Sequence, residues 1–288
     1  MIPADALRLR PMETGDLPAV LAFAHAQGRN VHHEEYARFL ALEGAQGFVL
    51  SGEGGALTGA ITAIRYFEQG FVGPVLTPPG ADGLAIALLA HAIEGLQRGG
   101  AGLLECESTD EEAAILQRMG FRAERTTLVL EREARAGGAQ PVSAAMTPGD
   151  FLDLGALDGA AFGIGRKEYL YALMQDFPQG ARTLHEAGEV RGYAFLRRSR
   201  RGYHLGPMVT REDDPEAARL LLDDAVGLAA GWPLVALSPE SSPLLPELER
   251  HGFARVGRLT RMRAGAPGRD VGSEARATEW LVGSRITG

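Results

Sequence analysis

Lysine is almost missing from this chain. Of 29 basic residues only Lys167 is not arginine. With an equally marked richness in alanine, this reads as a nucleotide-composition bias and not as the footprint of a polyanion-binding surface. Cysteine is as scarce. A lone Cys106 excludes an intramolecular disulfide framework and fits a reducing compartment. No stretch of about 18 apolar residues runs without a charge, so no spanning helix is expected. The opening MIPADALRLR lacks the apolar core of a signal peptide, and a cytoplasmic location is expected. What remains is an ordinary soluble composition, 45% hydrophobic and 23% charged, with a formal net charge of −8.

The charge is unevenly placed. Residues 1–135 hold 11 basic and 18 acidic side chains, whereas residues 136–288 hold 18 and 19. A negative first half attracts cations and repels nucleic acid and anionic membrane, although the same excess also serves solubility. A cationic substrate would suit this half. No nucleic acid, no membrane and no metal is expected, and the chain is expected to be a monomer or homodimer.

The chain also repeats itself. Met12-x-x-Gly15-Asp16 returns as Met146-x-x-Gly149-Asp150, Gly73-Pro74-Val75-Leu76-Thr77 as Gly206-Pro207-Met208-Val209-Thr210, and Gly120-Phe121 as Gly252-Phe253, all spaced 132 to 134 residues apart. A unit this long marks two complete domains and not a solenoid array. The expected division is a first domain at 1–134, a linker at 135–141, a second domain at 142–265 and a tail at 266–288.

Periodicity gives the elements. Leu7 and Leu9 alternate with Arg8 and Arg10 as a first strand, and Gly15-Asp16-Leu17-Pro18 opens a helix. Residues 47–50 form a strand ending in a glycine-rich turn, and apolar runs at 57–66 and 71–77 meet across Glu68-Gln69-Gly70. A helix over 84–96 carries Leu84, Leu88, Leu89, Ala92 and Leu96 at helical spacing and stops at Gly99-Gly100. A buried strand at 101–106, an acid-started helix at 110–119 and a strand at 126–130 follow. The second copy gives a hairpin at 191–197 and 203–210, a helix at 216–230, a strand at 234–237 and a helix at 244–251.

This order of elements resembles the GNAT acyltransferase superfamily in both copies. The resemblance implies an α/β fold with a mixed, mostly antiparallel sheet flanked by helices in each domain. It also implies N-acyl transfer from acetyl-CoA, as co-substrate, to a primary amine, the expected partner being a small-molecule or peptide amine. The alternative is an acyl-CoA-binding or structural protein of the same fold without turnover. The family's diphosphate motif (Gln or Arg, two residues, Gly, one residue, Gly or Ala) falls on Gly80, Gly83 and Ala85, with Ala81, Asp82 and Leu84 between them. Small residues at a helix start let backbone N–H groups approach an anion, and the helix N-terminus adds about half a positive charge. Gly80 departs from the motif. The resemblance adds cofactor contacts at Val75, Leu76 and Thr77, with a strand amide near Val75 and Leu76 meeting the thioester carbonyl, and at Thr109, where the family commonly has Asn. In the second copy the same loop reads Thr210-Arg211-Glu212-Asp213-Asp214-Pro215-Glu216, whose carboxylates cap the helix and oppose a diphosphate. The whole thus resembles bacterial tandem-GNAT proteins in which the second copy is diverged.

The family's usual acid is a Tyr four residues before Gly-Phe. Here Leu116 and Leu248 stand in those places. Glu105 and Glu107, two apart on one side of a strand end, are candidate bases acting through water, with Tyr66 and Glu68 as alternatives at the hairpin. Cys106 points to the opposite face as a core thiol. His32-His33-Glu34-Glu35 reads as a helix start, since neighbours on a helix diverge. Arg197-Arg198-Ser199-Arg200-Arg201 reads as a solvated hairpin turn. The aromatic pair Tyr169 and Tyr171 follows Phe162-Gly163-Ile164-Gly165 on an apparent helix.

Overall fold

The computed structural model describes residues 7–138, 140–212, 214–266 and 277–283. Asp213 and most of the tail lie outside the described residues. The first run of elements is β1 (Arg8–Pro11), α1 (Leu17–Ala26), α2 (His33–Ala41), β2 (Ala45–Ser51), β3 (Leu57–Tyr66), β4 (Gln69–Val72), α3 (Asp82–Arg98), β5 (Leu103–Ser108), α4 (Asp110–Arg118) and β6 (Arg122–Arg132). The second is β7 (Ala144–Ala145), α5 (Phe151–Phe162), α6 (Lys167–Asp176), β8 (Ala181–Glu186), β9 (Glu189–Ser199), β10 (Gly202–Arg211), α7 (Pro215–Leu228), β11 (Leu234–Pro239), α8 (Leu245–Arg250), β12 (Ala254–Gly265) and β13 (Ala277–Leu281).

The chain folds into two compact units, and these are not its two continuous halves. Unit 1 takes the residues up to Glu124 together with those from Thr260 onward in β12; unit 2 takes Arg125–Leu259 and the tail strand. The first copy therefore gives most of its final strand, and the second copy half of its own, to the other unit. The expected boundary at residue 134 differs from this because periodicity identifies a strand but not its hydrogen-bonding partner. In unit 1 the strands run in the order β1-β2-β3-β4-β5-β12, with β4 and β5 parallel and the other pairs antiparallel. The apolar stripe of α3 (Ala85, Leu88, Leu89, Ala92, Leu96) packs with Ile61, Ala63, Val72, Leu104, Cys106 and Met262 in one core. Each fully buried Leu contributes about 1.5–3 kcal/mol of transfer free energy. Gly100, in the left-handed region at φ 99°, follows the Gly99 cap and lets the chain reverse into β5.

Unit 2 repeats the plan, with β6-β11-β10-β9-β8-β7, parallel only between β10 and β11. Its core includes a charge: Arg166 and Asp158 are fully buried, joined through Nη2 to Oδ1 at 2.7 Å, and Asp158 also accepts from the Tyr193 hydroxyl at 2.5 Å. The Arg166 guanidinium lies 3.7 Å from the centre of the Phe162 ring. Tyr169 is buried on α6 and Tyr171 is exposed, packed edge-on against Phe151.

One expectation is corrected here. Arg197 is no part of a solvated turn. It is a buried strand residue whose guanidinium donates to the carbonyls of Gly206, at 2.8 Å, and of Gly283; only Arg198, Arg200 and Arg201 of that run are exposed. Within the tail, β13 pairs antiparallel with β10, and Trp280, Leu281 and Val282 are buried.

Candidate active site

In unit 1 the parallel strands β4 and β5 are paired only from Gln69 opposite Leu103 to Phe71 opposite Glu105. Beyond that they separate. The cause lies on the other side of β4, where four steps from Val72 to Leu76 face three from Ala63 to Ala60 on β3, a bulge that carries Pro74. The bulge turns the strand away from β5. The result is a narrow cleft, partly open to solvent. Val72, Gly73 and Val75 form one wall, Cys106, Glu107 and Ser108 the other, and Leu89, Glu112 and Leu116 close it from α3 and α4.

Of the two expected amide donors, Leu76 is already engaged. Its N–H donates to the Ala60 carbonyl at 2.8 Å and its carbonyl accepts from the Ala60 N–H at 2.9 Å. Successive strand amides point to opposite sides, so Val75 turns its N–H away from β3, towards the cleft. Thr77 is half-buried, and its carbonyl is fixed by the Gln27 side chain at 2.8 Å.

The start of α3 lies one loop further on. No side chain caps this helix. Gly80 sits at φ 75°, and a side chain placed on Gly80 or Gly83 would meet nothing within 4 Å. Leu84 and Ala85 donate their N–H groups to the Ala81 carbonyl at 2.9 and 3.2 Å, and the Ala81 N–H goes to Pro78. The first-turn amides of Asp82 and Gly83 remain, on exposed residues. Of the six motif residues, Asp82 and Gly83 thus keep first-turn amides beside the Gly80 turn, and the Ala85 side chain serves the core.

The expected bases occupy different places. Tyr66 is opposite Gln69, the first residue of β4, where β4 and β5 still pair, so it lies at the closed end away from the cleft. Glu68 is at the exposed hairpin tip. Glu105 is 1% exposed and held by Arg261 Nη2 at 3.0 Å, by Arg263 at 2.7 Å and by the Gln69 amide. Burial alone would raise its pKa, but Arg261 and Arg263 overcome this and hold it below the ordinary range. A carboxylate so committed is a weak base, which corrects the expectation for Glu105. Glu107 is as deeply buried, at 1% exposed, and also meets Arg261, through Nη1 at 3.4 Å, but it lies two residues past the last paired position and lines the cleft. Cys106 also reaches the cleft wall, but burial pushes its thiol pKa up, and it stays a core thiol.

One cleft residue was not singled out in the sequence. Glu112 sits on α4 one turn before Leu116, and both face the cleft. Thr109, the N-cap of α4, forms a capping box with Glu112: the Thr109 N–H donates to Glu112 Oε2 at 2.7 Å, and Thr109 Oγ1 accepts from the Glu112 N–H. Arg29, just beyond α1, approaches Glu112 Oε1 at 3.2 Å. The sequence carried a signal in the Thr-x-x-Glu spacing and in the i, i+4 relation to Leu116, but both read equally as a helix start.

Unit 2 is the internal control. Its β10 carries the same irregularity at Gly206-Pro207, three steps from Leu205 to Met208 facing two on β9, and it parts from β11 after Leu205. Here the opening is filled. β13 lies along Met208–Arg211, the Val282 N–H continues to the Leu237 carbonyl of β11 at 2.8 Å, and Trp280 Nε1 donates to Thr210 Oγ1 at 2.8 Å. The helix start is occupied too: Asp214 caps α7, accepting from the Ala217 N–H at 3.0 Å. Arg191 binds Asp214 at 2.8 Å and Glu216 at 3.4 Å. Of the carboxylates of this loop, Asp214 thus acts by taking a helix amide, while Arg191 offsets the charge of Asp214 and Glu216. His32, at the start of α2, is likewise a helix cap, accepting from the Glu34 N–H.

Residues 154–274 match the family model of the acetyltransferase (GNAT) domain. No curated protein matches the chain. Among solved structures it is similar to a protein from Pyrococcus horikoshii provisionally assigned as an acetyltransferase, at TM-score 0.77 and 18% identity over 100% of this chain and 98% of that one. It is also similar to a GCN5-related N-acetyltransferase from Sphaerobacter thermophilus, at TM-score 0.68 and 18% identity over 94% and 99% of the two chains. A tandem GNAT protein from the clavulanic acid biosynthesis pathway, solved without AcCoA, aligns at TM-score 0.62 and 18% identity over 92% and 100%. At such identities the likeness is one of fold.

Proposed function

The chain carries the GNAT acetyltransferase fold in tandem, and from that premise we propose that unit 1 binds acetyl-CoA or a related acyl-CoA and transfers the acyl group to a primary amine. The observation that carries this reading is the pairing of two features in one unit, an open cleft between β4 and β5 and an uncapped helix start beside it, both of which are filled in unit 2.

The amides of Asp82 and Gly83 would take the diphosphate, where the helix dipole favours negative charge. The extended arm of the coenzyme would run along the free edge of β4, with the Val75 N–H donating to the thioester carbonyl as charge develops on its oxygen. Glu107, on the opposite wall, would receive the proton of the attacking amine through water. The acidic first half suits an acceptor that arrives as a cation.

A second reading, acyl-CoA binding without turnover, is favoured by one specific observation: Leu116 places hydrocarbon in the cleft where the family resemblance would put a phenol. A thiol-release assay against a panel of small amines, peptides and aminoglycosides separates the two readings. Free thiol that appears only when an amine is added marks a transferase, and silence across the panel despite cofactor binding marks a binding protein.

The placement of the site is tested by Gly83→Glu. Open space around Gly83 accommodates the side chain, and an acid in the first helical turn suits the dipole, so the fold is retained. Calorimetry with acetyl-CoA is expected to show about one equivalent bound to the wild type and none to the variant, at an unchanged melting temperature. Equal affinity in the two proteins would place the diphosphate elsewhere.

A further inference from the structure

We propose that Glu112 is the proton donor of the unit 1 cleft, protonating the thiolate that leaves when the acyl group is transferred. This rests on the acyltransferase reading above and assigns that reaction an acid which the sequence pattern does not supply. Leu116 cannot donate a proton. Glu112 can, and it lies on the same face of α4 one turn earlier, lining the cleft with Leu116, Cys106, Glu107 and Ser108.

The position is built for a carboxyl that changes charge. Glu112 is 9% exposed. Burial raises its pKa above the ordinary range, against the pull of Arg29 and of the Thr109 cap. Arg29 at 3.2 Å and the Thr109 N–H at 2.7 Å then receive the carboxylate once the proton has gone. Glu107 and Cys106, from β5, share the cleft.

The step balances as follows. The amine nitrogen forms the new C–N bond, the C–S bond breaks and its electron pair goes to sulfur. Glu112 gives its proton to that sulfur and becomes a carboxylate paired with Arg29. The proton lost by the amine passes to water, and Glu112 regains one from water before the next turnover.

The test uses the full chain with Glu112→Gln, which keeps side-chain shape and removes the acid. Acetyl-CoA affinity is read by calorimetry, and thiol release is followed across pH with an amine that supports wild-type turnover. The expected result is a kcat lower by about 100-fold or more, an acetyl-CoA Kd within about threefold of wild type, and loss of the alkaline limb of the pH profile. A kcat within about threefold of wild type, or an unchanged alkaline limb, overturns the proposal. Loss of acetyl-CoA binding in a folded E112Q overturns it too, since Glu112 would then shape the slot. A wild type that binds acetyl-CoA yet releases thiol with no amine brings down the transferase reading itself, and Glu112's role with it.

Discussion

At the scale of single residues, this protein repeatedly places an ionisable group where water does not reach and then decides its charge by one or two neighbours. Glu105 is held ionised by Arg261 and Arg263, whereas Glu112 is pushed towards the neutral acid by burial. His204 shows the same logic in unit 2. Burial, reinforced by the nearby Arg197 guanidinium, holds its pKa well below the ordinary value. The unfolded chain takes up a proton at His204 near pH 6.5, while the native state does not until the pH is much lower. The unfolded state therefore binds more protons in that window, and the stability of unit 2 falls as the pH drops below about 6.5. His204→Gln has no proton to take up in either state. Urea denaturation of the two proteins at pH 8 and pH 5 is expected to show a smaller loss of stability on acidification in the variant; equal losses would mean that His204 titrates alike in both states.

At the scale of elements, helices were read well from sequence and strand partners were not. The stripe of α3 is local, so Leu88, Leu89, Ala92 and Leu96 announce both the helix and its buried face, and Gly99-Gly100 its end. β13 had no such signature. Residues 277–281 are five residues without a turn signal or a repeat counterpart, and their burial follows only from β10, about 70 residues earlier, whose bulge leaves an opening for them. The cleft was legible at the level of Gly73–Thr77 and Gly80–Ala85, since these are contiguous. That Glu107 lines the cleft while Glu105 lies at the last β4–β5 pair was not, because it depends on the register at which β4 leaves β5. Trp280→Ala tests what the inserted strand contributes. Trp280 is 2% exposed and its indole donates to Thr210, so the truncation leaves a cavity and removes one of the two hydrogen bonds of the Thr210 hydroxyl, which still donates to the Arg211 carbonyl. A loss of about 3–5 kcal/mol is expected by chemical denaturation; a change below about 1 kcal/mol would mean that β13 lies on unit 2 without contributing to its core.

For the whole molecule, the repeat at 132 to 134 residues suggests two domains that could be cut apart at the linker, yet the chain is not assembled that way. The strand beside β5 is residues 260–265, and it delivers Met262 to the unit 1 core and Arg261 and Arg263 to Glu105, partners 156 and 158 residues distant in sequence. A fragment ending at residue 135 would leave Glu105 buried with only Gln69 beside it. Removing the partners of a buried charge costs about 3–5 kcal/mol, comparable to the whole stability of many small domains. The unpaired edge of β5 would add an aggregation hazard. Residues 1–135 expressed alone are therefore expected to lack a cooperative thermal transition and to bind no acetyl-CoA. Adding a peptide of residues 254–266 is expected to restore part of both, because it returns β12 and its two arginines together. A soluble, cooperatively melting 1–135 fragment with full-chain affinity would show that the exchanged strand is dispensable and that the first copy folds as an independent domain.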